Sequence, residues 1–171
     1  FLLRHLRAFL LAVQFLTTLP TPGHSFSDVR LQGLSLLWYP AVGLLLGVLL
    51  ALFGGALPLP FYLQAMLTVA LWVLLTGGLH LDGVADYADA WVGGLGDRER
   101  TLHLLKDPLC GSMGVTALIL VITLKAAALA AVIQIEQSMW LWSVPLLARL
   151  SLLLLFQTTP YVRQQGLGDI L

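Results

Sequence analysis

Long uncharged runs alternate with short polar ones along this chain, and one extended polar stretch falls in its middle. Residues 34–53 carry no charge and are long enough to cross a bilayer core ~30 Å thick at ~1.5 Å per residue. Gly54-Gly55 with Pro58 and Pro60 predicts a tight turn, and residues 61–79 predict a span back. Residues 80–114 are polar and hold most of the acidic side chains. Residues 115–135 and 139–157 predict a second hairpin of spans, turned at Glu136-Gln137 and closed by Thr158-Thr159-Pro160. Ahead of all these, residues 2–19 carry Arg4, His5 and Arg7, and their uncharged part, 8–19, is too short to cross. It predicts an interfacial or re-entrant helix, ended by Pro20-Thr21-Pro22-Gly23 and followed by a polar loop to residue 33. The fold class that follows is all-α. It is a polytopic membrane helical bundle with about four full spans plus a short N-terminal interfacial or re-entrant helix, residues 1–171 forming a single integral membrane domain.

Composition strengthens this reading. Of the 171 residues 58% are hydrophobic and 11% charged, against roughly 25% charged in a soluble domain. Mean hydropathy is +0.90. The net charge of zero gives no footing for a nucleic-acid partner. The single cysteine, Cys110, excludes an internal disulfide and a cysteine-based metal site, and is expected to pack as a small residue. The chain opens at Phe1 without an initiator Met and stops in polar residues 166–171, as expected of part of a longer protein. Four spans put loops 20–33, 80–114 and 158–171 on one side, with Arg30, Arg98, Arg100, Lys106 and Arg163, while turns 54–60 and 134–138 hold neither Lys nor Arg. The positive-inside rule makes the polar side cytoplasmic, with the carboxylates at that membrane edge.

The chemistry centres on residues 76–90, T-G-G-L-H-L-D-G-V-A-D-Y-A-D-A. Asp82, Asp86 and Asp89 are spaced i, i+4, i+7 and share one helix face. Like charges so placed repel, and a divalent cation with oxygen ligands neutralises them. Mg²⁺ usually takes a few carboxylates together with substrate phosphates, which is the arrangement phosphoryl transfer uses. A solvated surface helix is the alternative. His80 is either a ligand, a base or a structural residue. In K-D-P-L-C-G-S-M-G at 106–114, Gly111 and Gly114 open a helix start to an anion, with Lys106 adding a point charge. Asp107 would join the metal shell from this second segment. The plain alternative is a turn with Ser112 as helix N-cap. Lys125 and Arg149 lie inside predicted spans, where a cation is costly, so they are expected to face a polar cavity, a counter-ion or an anionic substrate. Glu136 is too far along the helix to pair with Lys125. Arg163, in Y-V-R-Q-Q-G-L-G at 161–168, either clamps a phosphate or sets topology.

Taken together the motifs resemble the cobalamin synthase family, the adenosylcobinamide-GDP ribazoletransferases, over almost the whole chain. The resemblance is carried by Q-F-L-T-T-L-P-T-P at 14–22 and by Tyr39-Pro40 with Gly43 and Gly47. It continues in G-G-L-H-L-D-G-V-A-D-Y-A-D-A at 77–90, K-D-P-L-C-G-S-M-G at 106–114, Ala148-Arg149 and Y-V-R-Q-Q-G-L-G at 161–168. Thr18 stands where the family usually has Arg, Ala90 where it has Gly, and Gln165 where it has Glu. The family continues with further helices and a T-G-D motif not present here.

The resemblance implies a Mg²⁺-dependent phosphotransferase of the bacterial inner membrane, active on its cytoplasmic face. A ribose hydroxyl of α-ribazole, or of its 5′-phosphate, would attack the pyrophosphate of adenosylcobinamide-GDP and release GMP. Asp82, Asp86 and Asp107 would hold Mg²⁺. Asp89 or His80 would accept the hydroxyl proton, and Lys106, Arg149 and Arg163 would steady phosphate charge. Its implied partners are the two substrates, the lipid bilayer, and either other cobalamin-assembly enzymes or a second copy. Two competing readings remain. A CDP-alcohol phosphotransferase-like enzyme would have Arg after the motif alanine, where Asp86 follows Ala85. A polytopic transporter would place its carboxylates at the membrane midplane.

Overall fold

The computed structural model describes residues 1–22 and 28–159. Among them there is helix and no strand. The helices are α1 (Leu2–Leu16), α2 (Val29–Leu36), α3 (Tyr39–Ala56), α4 (Phe61–Thr76), α5 (Leu79–Gly94), α6 (Arg98–Leu104), α7 (Ser112–Gln134) and α8 (Ser143–Thr158), with a 3₁₀ turn at Ser138–Trp142. Three segments are long and apolar enough to cross a membrane: α3, α7, and Ser138–Thr158, which joins the 3₁₀ turn to α8. A fourth exists if α4 and α5, bent by 90° at their junction, form one broken span. The all-α membrane architecture is therefore as expected, while three of the expected spans are interrupted by backbone chemistry that hydropathy does not register.

The first interruption falls inside the expected span 34–53. Pro40 has no N–H to give the carbonyl of Leu36, and its ring crowds that carbonyl. Helix α2 therefore ends at Leu36 and α3 restarts with Pro40 in its first turn. The second falls at the end of 61–79. Gly77 and Gly78 both adopt left-handed backbone, φ 63° and 69°, which stops α4 at Thr76 and starts α5 in a new direction. The third lies before Pro145, whose missing N–H is tolerated because it falls among the unpaired donors of the first turn of α8. Within the polar middle, residues 79–94 form a helix, as the i, i+4, i+7 spacing of the three acids predicts.

The chain divides into two compact units, Phe1–Pro58 with Glu136–Leu171, and Leu59–Ile135. In the first, α1 buries Ala8 and Leu11 against Leu31 of α2, with Leu34 and Trp38 completing the cluster. Arg4 and Arg7 stay exposed, and the helix is too short to cross a ~30 Å core. Helix α3 buries the stripe Val42, Gly43, Leu46, Gly47, Leu50 and Ala51. Its two glycines let the backbone of α8 and the 3₁₀ turn approach: a Cβ on Gly43 would meet Pro145, and one on Gly47 would collide with Trp142. In the second unit, α4 buries Gln64, Thr68 and Thr76 among apolar neighbours. The two threonine hydroxyls return their hydrogen bonds to the helix backbone, at Gln64 O (2.7 Å) and Trp72 O (2.9 Å). Helix α6, capped by the Asp97 carboxylate on the N–H groups of Glu99 and Arg100, packs against the end of α5.

Substituting Gly47→Ala forces the Trp142 backbone away and is expected to cost about 1–3 kcal/mol, read as a lower melting temperature in detergent. Gly33→Ala, in mid-α2 with nothing within 4 Å of the added Cβ, is expected to hold or raise it.

Candidate active site

Helix α5 carries the candidate residues and lies against α7 in antiparallel fashion. Its C-terminal end meets the start of α7 through Asp89, and its first turn meets the middle of α7 through His80. The two contacts are ~16 Å apart along α7, at ~1.5 Å per residue. The carboxylates thus ride beside the N-terminal half of an apolar helix.

Asp89 makes the tighter of the two contacts. Gly111 is the N-cap of α7 and has no side chain with which to cap it. Asp89 supplies the missing acceptor from 22 residues upstream: the Gly111 N–H donates to Oδ2 at 2.7 Å and the Gly114 N–H to Oδ1 at 2.8 Å. Two N–H groups that start a helix are thereby satisfied by one carboxylate, whose charge also suits the positive end of the helix dipole. The glycines are needed for the approach, because a Cβ at either position would run into the Asp89 carboxylate. The anion seat expected at Gly111 and Gly114 therefore exists, and a side chain of the protein itself sits in it. Ser112 is the first residue inside α7 rather than its cap, and is exposed.

His80 is also engaged. Its Nε2 lies 3.2 Å from Lys125 Nζ, and that ammonium sits 4.3 Å from the centre of the Trp72 ring, on α4. With Lys125 as an ammonium, which only donates, His80 Nε2 is the acceptor of this contact. His80 also precedes Asp82 by two positions, about 200° around the helix, so the two side chains leave α5 on opposite sides.

Asp82 and Asp86 lie between these two contacts. Asp82 is exposed and Asp86 half-buried, one helical turn apart on one face. Mg²⁺ is commonly held by one or two carboxylates plus phosphate oxygens, and this pair fits that donor set. The wider set expected from the sequence is not gathered at one point: among the described residues no three His, Cys, Asp or Glu side chains form a metal-holding group. Asp107 accepts the Leu109 N–H at 3.0 Å within its own loop. Lys106 is exposed on the same loop, as is Cys110, which does not pack. Arg149 is half-buried on α8 in the other unit. Arg163 lies outside the described residues. A cleft of about 640 Å³ between α4 and α7, walled by Met66, Val69, Val73, Ile122 and Ala126 among others, is too apolar to receive a diphosphate. What the sequence missed is Trp72, which reads as one more apolar residue of a span until its ring is seen beneath Lys125.

Residues 8–171 match the family described as Cobalamin-5-phosphate synthase. The chain belongs to that family. Among its relatives, the adenosylcobinamide-GDP ribazoletransferase of Stutzerimonas stutzeri strain A1501 is 54% identical over 166 residues, covering 95% of this chain and 66% of the relative. The enzyme of the same name from Pseudomonas fluorescens strain Pf0-1 is 54% identical over 162 residues, covering 94% and 67%. That of Acinetobacter baumannii strain ATCC 17978 is 48% identical over 161 residues, covering 94% and 65%. The chain thus spans about two thirds of the length of the curated relatives it matches. No solved structure matches it. In this member of the cobalamin-5-phosphate synthase family, α5, α7 and the loop between α6 and α7 carry Asp82, Asp86, Asp89, His80, Lys106 and Asp107 of the candidate site.

If Asp89 caps α7, Asp89→Asn removes an acceptor from one of the two N–H groups and costs roughly 1–3 kcal/mol, as for a hydrogen bond to a charged group. The loss is expected as a lower melting temperature of the protein without any added metal. Gly114→Ala should lower it too, and the double variant should fall less than the sum of the two. A residue serving only as a metal ligand would leave metal-free stability unchanged.

Proposed function

We propose that this chain carries the catalytic helix of a Mg²⁺-dependent adenosylcobinamide-GDP ribazoletransferase of the bacterial inner membrane, acting at the cytoplasmic face. The observation that carries the reading is the pair Asp82 and Asp86, one turn apart on one face of α5 that lies between two polar anchors on α7. The names of the relatives support the substrates. A ribose hydroxyl of α-ribazole, or of its 5′-phosphate, attacks the phosphorus nearer the corrinoid side chain. The new P–O bond forms as the bond to the GMP oxygen breaks, GMP leaves as the anion, and the hydroxyl proton is released.

Asp82 and Asp86 would hold Mg²⁺, which when bound supplies charge neutralisation for the diphosphate. Asp82, exposed on this face, meets the diphosphate first, while the half-buried Asp86 backs it one turn further on. Lys106, exposed on the loop before α7, would offer a positive charge to the diphosphate. Asp89 and His80, the two residues expected to take the proton, have their acceptor atoms turned to Gly111, Gly114 and Lys125. They are assigned to holding α5 in place, and Asp107 to shaping its loop. Arg149 and Arg163 are assigned to phosphate binding in the complete protein. A CDP-alcohol phosphotransferase or a transporter finds no comparable support among the relatives.

The full-length protein in membranes, given adenosylcobinamide-GDP, α-ribazole and Mg²⁺, is expected to release GMP, and EDTA should stop the release until Mg²⁺ is restored. Asp82→Asn and Asp86→Asn are each expected to lower turnover by about 10²-fold or more. GMP release at near-normal rates from either variant would show that the assignment of the pair is wrong.

A further inference from the structure

The elbow between α4 and α5 consists of Gly77 and Gly78, both in left-handed backbone, with a 90° bend across them. Glycines impose no angle of their own. The Asp89 joint holds the far end of α5 on α7; the near end, beside the elbow, needs a contact of its own to fix the position of Asp82 and Asp86.

Lys125 is placed to do so. It lies in α7, inside a segment of mean hydropathy 2.4, where an ammonium costs about 2.5–3.5 kcal/mol or more in a bilayer. Leu or Ala would fill the position without that cost. The ammonium touches both arms of the elbow: the ring of Trp72, 4.3 Å away, near the end of α4, and Nε2 of His80, 3.2 Å away, in the first turn of α5. Trp72 is buried at 8% exposure, so its ring is a fixed surface against which the other two groups are held. Through His80 and Trp72, Lys125 bears on where α5 holds Asp82 and Asp86. Asp86 lies ~12 Å beyond Gly78 along α5, at ~1.5 Å per residue. A 10° swing about the elbow then moves it by ~2 Å, and displacements near 1 Å at a reacting centre can cost ~100-fold in rate.

We propose that Lys125 is a positioning residue for the transfer reaction: by clasping His80 to Trp72 it fixes the angle of the α4–α5 elbow and so aligns Asp82 and Asp86 with the substrate diphosphate. This rests on the reading of Asp82 and Asp86 given above. The experiment uses the full-length protein in nanodiscs, with GMP release resolved into kcat and KM for adenosylcobinamide-GDP, and a melting temperature for each variant. Lys125→Met keeps the length and removes the charge. It is expected to lower kcat at least about tenfold with KM changed by less than about threefold and the melting temperature not lowered. Lys125→Arg keeps the cation over the ring and a donor for His80, and is expected to restore kcat to within about threefold of the unsubstituted protein. The ¹⁵N resonance of His80 Nε2 should shift in Lys125→Met and less in Lys125→Arg. A Lys125→Met variant with kcat within twofold of the parent overturns the proposal. So does a fall in both variants that tracks a lowered melting temperature, which would make Lys125 structural only. Asp82→Asn, assayed alongside, separates the two levels: normal turnover there removes the underlying reading, whereas a dead Asp82→Asn beside a fully active Lys125→Met removes the role of Lys125 alone.

Discussion

The carboxylate of Asp89, accepting the first backbone donors of α7, is the contact on which the described part of the site depends. It closes a segment of more than twenty residues, tying α5 to the start of α7 across the α6 helix and the loop that follows it. A helix start left without an acceptor would draw in water or another anion. Filled by a fixed side chain, it becomes a structural joint instead. The negative charge that the seat attracts is supplied internally, by one of the three acids of α5.

The second contact on α5 is of a different kind. The Asp89 joint is short, charge-assisted and made to backbone, which no side-chain substitution on α7 other than at the glycines can remove. The clasp of Lys125, His80 and Trp72 is made wholly of side chains and draws on a cation–π contact that gains strength away from water. One end of α5 is therefore set by main-chain geometry and the other by the identity of three side chains. A helix anchored in this way can be tuned at one end without loosening the other.

Much of this was legible in the sequence. The apolar runs announced membrane helices, the i, i+4, i+7 spacing put three acids on one face, and a lysine in an apolar run signalled a polar environment around it. What the sequence hid was the pairing. Spacing treats Asp82, Asp86 and Asp89 alike, yet it is Asp89 that accepts the first N–H groups of α7, because Gly111 and Gly114, far away in the chain, leave room for it. Hydropathy averaged over Pro40, Gly77-Gly78 and Pro145 and so read continuous spans where the backbone breaks. Trp72 and Lys125 are separated by more than fifty residues, and nothing local to either names the other.

Cys110 is the one cysteine of the chain, exposed and adjacent to the glycine that donates to Asp89. A thiol-reactive fluorophore or spin label placed there needs no engineered background free of competing cysteines in this stretch of protein. Its mobility would follow the loop ahead of α7 directly, distinguishing a joint that stays shut through the reaction cycle from one that opens when substrate arrives.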